Sequence, residues 1–161
     1  MIRTFLAAAA TTVATTALVL AATGPAVAAA APVRAAAPAA CVTTAAITVN
    51  SFSFNPAQVV PGQSSTANLY TTNCTGVTQA TQETWTGQYL SASGAGLPSG
   101  CPVIDPLLRP VTYAPYQAVL TSTSYLVLSG CTANALKVTV RITGTGGVLI
   151  NQASATLAIK Q

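Results

Sequence analysis

The chain has 161 residues, 51% of them hydrophobic and only 5% charged, with a formal net charge of +4 and no histidine. Without an imidazole there is no Ser-His-Asp or Cys-His centre and no histidine-ligated metal. Glu83 and Asp105 are the only acidic residues, too few for an oxygen-rich calcium cage, and no cofactor is implied.

In chain order, residues 1–28 carry the pattern of a secretory signal peptide. Arg3 supplies the positive end, Thr4 to Ala22 is apolar or small, and Ala26-Val27-Ala28 is a small-x-small cleavage site. This predicts an extracellular protein with no membrane span after cleavage. Residues 29–40 are rich in alanine and proline, with side chains too small to build a core, and are expected to form a disordered linker. Residues 41–161 then suit one domain. Its positive side chains are scattered rather than clustered, so a nucleic-acid groove is not expected.

Strand signals recur at short intervals and no segment sustains a 3.6-residue period. In 45–54, Ile47 and Val49 mark one face while Phe52 and Phe54 continue it out of phase, which predicts a bulge or a strand that changes sheet. Pro61-Gly62 marks a turn before 65–72, where Ala67, Leu69 and Thr71 point inward. Residues 79–90 carry Trp85, and a Gly- and Pro-rich loop follows from Ser91 to Pro110. Short strands are then expected at 111–113, 118–128, 136–143 and 148–159. Residues 136–143 alternate strictly, and Thr143 to Gly147 forms a hairpin. Seven strands separated by turns predict an all-β, immunoglobulin-like two-sheet sandwich.

Four cysteines in an extracellular chain predict two disulfides. With successive strands alternating in direction, Cys41 and Cys74 fall at one end of the sandwich and Cys101 and Cys131 at the other. The expected bridges are therefore Cys41–Cys74 and Cys101–Cys131.

Ser64 to Thr72, following Pro61-Gly62 and ending in Asn73, resembles the second strand of many bacterial immunoglobulin-like modules. The domain as a whole is similar to small secreted actinobacterial proteins of that type. The resemblance implies a fold and no activity.

Two candidate sites stand out. Trp85 is the only tryptophan; it belongs either to the core of such a sandwich or, with Tyr89 and Glu83 on the same strand face, to a stacking platform for a sugar ring. Glu83 and Asp105 are the only possible glycosidase pair, and catalysis is not expected. The second candidate is the loop Cys101-Pro102-Val103-Ile104-Asp105-Pro106, which resembles the reactive loop of the subtilisin-inhibitor family. That loop also begins Cys-Pro and continues into Asp-Pro, with one more residue between, and its cysteine pairs with one about thirty positions on. The resemblance implies Val103–Ile104 as the scissile bond. Tyr113, Tyr116 and Tyr125 could add a binding rim, and Asn73-Cys74-Thr75 formally matches a glycosylation acceptor. The expected function is a non-catalytic binding or structural module for a polysaccharide or a protein, with protease inhibition as the alternative.

Overall fold

The computed structural model describes Cys41, residues 44–92 and residues 97–161. The expected signal peptide and linker lie outside the described residues. Among the described residues eight strands form two sheets: β1 (Ile47–Asn55), β2 (Gln58–Val59), β3 (Ser64–Asn73), β4 (Gln79–Leu90), β5 (Leu107–Tyr113), β6 (Ala118–Leu126), β7 (Ala135–Thr143) and β8 (Leu149–Ile159). One sheet has the order β1-β3-β6 and the other β2-β8-β7-β4-β5. The all-β sandwich expected from the strand periodicity is what forms.

The first strand lies at the edge of the smaller sheet and carries a bulge. Its register against β3 slips between Val49 and Ser51, so that Ile47 and Phe54 both end up buried although they lie an odd number of residues apart. Past Pro56 the chain crosses over, and β2 pairs in parallel with β8. Consecutive strands β1 and β2 in opposite sheets, with β7 and β4 inside the larger one, give the immunoglobulin-like arrangement. Two residues long, β2 carries no periodic signal of its own.

The core follows from alternation. Along β7, Leu136, Val138, Val140 and Ile142 are buried while Lys137 and Arg141 face solvent. Ala67, Leu69 and Thr71 of β3 meet them from the smaller sheet, fully enclosed. The hairpin from β7 to β8 turns through Gly146 and Gly147, both at φ +76, a conformation that favours glycine.

One expectation needs correction. The loop expected to reach Pro110 ends earlier, because β5 starts at Leu107 and carries Pro110 within it. Proline is tolerated there because β5 is an edge strand, bonded only to β4.

Two disulfides join Cys41 to Cys74 and Cys101 to Cys131, across sequence separations of 33 and 30. Loops of that length give each bridge a stabilisation of about 3–4 kcal/mol in the chain-entropy model.

Candidate functional site

The inward face of β4 presents Thr81, Glu83, Trp85 and Tyr89 to the opposing sheet. Glu83 is 0% exposed and Trp85 is 1% exposed. A sugar ring has no face of Trp85 to stack on, so the proposed platform of Trp85, Tyr89 and Glu83 is overturned. The acid does not make that face wet; it is buried because donors surround it. Trp85 Nε1 donates to Glu83 Oε2 at 2.9 Å, while Thr121 Oγ1 and Tyr113 Oη donate to Oε1 at 3.1 and 3.4 Å. Tyr113 also shares a 3.0 Å bond with Thr71. The network thus links β4 and β5 of one sheet to β3 and β6 of the other. It ties the two layers together from within the core.

Around this centre Phe52 meets Trp85 edge-on at 5.5 Å, and the Arg109 guanidinium lies 5.5 Å from the centroid of the same ring. Arg109 continues across the sandwich to donate to Ser122 O at 3.1 Å. Burial pushes the Tyr113 hydroxyl up to about 12, and the neighbouring Glu83 adds to the rise against a lowering by the Thr71 bond. Burial likewise pushes Tyr125 up to about 12, partly opposed by Arg109. Both tyrosines are core residues rather than parts of a rim. Asn73 is also enclosed: its amide donates to Val77 O and Ala114 O, and Cys74 beside it is disulfide-bonded. It organises a turn and does not present an acceptor for glycosylation.

The loop of the second candidate is built differently. Its base is fastened to the turn before β7 by Cys101–Cys131 and by Thr132 N donating to Ser99 O at 3.0 Å. The two segments approach so closely that a Cβ on Gly100 would lie 2.0 Å from Gly130 O. Beyond the bridge, Ile104 turns inward over Gly87, where a Cβ would meet Ile104 Cδ1 at 2.7 Å. This glycine lies on β4 just past the end of β5, whose pairing stops at Trp85 with Leu107, so Ile104 covers the uncovered stretch of β4. An isolated glycine inside a strand pattern is the signal for such close approach, and sequence reasoning missed it.

Val103, held between Pro102 and Ile104, is 91% exposed, and Leu97 at the other side of the loop is 88% exposed. Between them and Tyr89 runs an open groove of about 300 Å³, mostly apolar, with Pro98, Pro102 and Ile104 in its walls. Asp105 is exposed in this loop while Glu83 is sealed in the core. Among the described residues no three of His, Cys, Asp or Glu gather to hold a metal, and no helix is long and apolar enough to cross a membrane.

No known protein family and no curated protein matches the chain. Among solved structures it is similar to the Pseudomonas fluorescens alkylpurine DNA glycosylase AlkC bound to DNA containing an abasic site analog, with 10% identity and a TM-score of 0.51. That match covers 73% of this chain and 31% of the glycosylase, so the chain spans about a third of that protein's length. The sporulation control protein Spo0M from Bacillus subtilis aligns at 9% identity and a TM-score of 0.44, covering 72% of this chain and 50% of Spo0M. A Niemann-Pick type C2 protein from the Japanese carpenter ant gives 10% and 0.41, covering 70% of this chain and 91% of its own. At such identities the likeness concerns the fold alone.

Proposed function

We propose that the chain is a non-catalytic extracellular binding module that engages a protein ligand through the loop Leu97–Asp105. The observation that carries this reading is an apolar residue, Val103, held almost fully exposed on a loop fixed at its base by a disulfide and at its far side by Ile104. A loop ordered before binding loses little entropy on binding, so its apolar contacts count nearly in full. Two disulfides and the apolar segment near the N-terminus favour an oxidising, extracellular setting. A non-catalytic role is supported by the separation of the two acids, one enclosed in the core and one out on the loop. The test passes extracellular proteins of the producing organism over the immobilised chain and over Val103→Asp. A protein retained by the first and released by the second supports the reading; equal retention by both refutes it.

The same loop favours one second reading, inhibition of a serine protease, because Val103 stands outward immediately before the anchored Ile104. Titration of subtilisin with the oxidised chain distinguishes the two. Stoichiometric inhibition that disappears when Cys101–Cys131 is reduced assigns the inhibitor role, and no inhibition at micromolar excess removes it for subtilisin-like targets.

A further inference from the structure

We propose that the outer face of the five-stranded sheet, centred on Lys137 and Arg141, binds an acidic polysaccharide. Both cations project from β7, which has β8 on one side and β4 on the other, so they stand in the middle of the sheet. Lysines that merely guard against strand pairing belong on edges, and β7 is not an edge. Lys137 lies opposite Gln88 and Thr156, and Arg141 opposite Thr84 and Gln152. The row between them is Thr86, Thr139 and Ser154, whose hydroxyls on β7 and β8 bond each other at 2.8 Å. A shallow hollow of about 390 Å³ opens there, walled by Thr86, Gly87, Gln88, Lys137 and Thr139.

No carboxylate stands on this face. Of the two acids in the chain, Glu83 points into the core and Asp105 belongs to the loop. The two positive charges are therefore left for an external partner. They are four residues apart on one strand, about 13 Å at the usual rise, a span that a short oligosaccharide covers. Hydroxyl and amide groups between and beside them can donate to and accept from ring hydroxyls, and the two cations suit carboxylates borne on the sugars. Two cations are too few to hold a nucleic acid by counterion release. The partner committed to is a chain of hydroxylated rings carrying carboxylates.

The test is affinity electrophoresis of the oxidised chain in gels containing polygalacturonate, with dextran gels as the neutral control. Retardation in polygalacturonate alone is expected, weakening as salt is added. Lys137→Gln with Arg141→Gln lowers the affinity at least tenfold while the Trp85 emission stays unchanged, and Lys137→Glu on its own weakens it as well. Val103→Asp leaves retardation intact, so failure here is separable from failure of the loop. Absence of retardation, equal retardation in dextran, full binding by the double variant, or tighter binding to single-stranded DNA than to polygalacturonate overturns the proposal.

Discussion

Replacing Glu83 with leucine tests whether the buried network holds the two sheets together. The substitution keeps a side chain of similar bulk and withdraws the acceptor shared by three donors. Tyr113 keeps Thr71 at 3.0 Å as an alternative, which leaves the indole N–H of Trp85 and the hydroxyl of Thr121 stranded in the core. Each stranded donor costs about 1–3 kcal/mol, so the loss centres near 4 kcal/mol. Burying the leucine returns about 2 kcal/mol. The net expectation is a destabilisation of about 2 kcal/mol, or a midpoint lowered by about 6–10 °C for a domain of this size. Chemical denaturation followed by the emission of Trp85 measures it, and that probe sits within the network itself. Adding Thr121→Val removes one stranded donor and should recover about 1–2 kcal/mol. A Glu83→Leu protein as stable as the parent, or a second substitution that recovers nothing, would refute the reasoning.

Two further outcomes follow from other parts of the molecule. Gly87→Ala places a methyl 2.7 Å from Ile104 Cδ1, so it should cost about 1–3 kcal/mol and loosen the loop, with Ile104→Val relieving part of the strain; limited proteolysis between Pro102 and Asp105 reports the change. Stability should also depend on alkaline pH: Tyr113 and Tyr125 have hydroxyls pushed up to about 12 in the folded state against 10.0 unfolded, so stability is full below pH 10 and is lost as pH rises toward 12. Phenolate absorbance of these two tyrosines should grow in step with unfolding, and a rise completed while the far-ultraviolet signal is still native would contradict the assignment.

The strands were legible because their signal is local: an apolar residue at every second position, as in β7, needs only one buried face. The disulfide pairing was legible from strand direction alone. The centre of the fold was not. An acid beside the only tryptophan suggests a wet face until its donors are known, and two of the three come from Tyr113 and Thr121, 30 and 38 residues away. The start of β5 was hidden because Pro106 and Pro110 imitate a loop, and only the lack of a neighbour beyond β5 makes Pro110 acceptable. The loop motif could be seen in sequence, whereas the fixing of Ile104 against Gly87 depends on where β5 stops.

The reach of Arg109 from β5 to β6 has a consequence for crowding. A chain with 5% charged residues has little electrostatic repulsion to keep copies apart. The border of β6 is instead occupied from within, since Arg109 donates to Ser122 O and Tyr89 donates to Leu126 O. A strand from another copy would have to displace both side chains before it could zip onto β6. Along β5 the same strand would meet Pro110, which has no N–H to offer. Along β6 and β5, edge-to-edge pairing between crowded copies is therefore opposed by occupied or missing hydrogen-bonding positions rather than by charge.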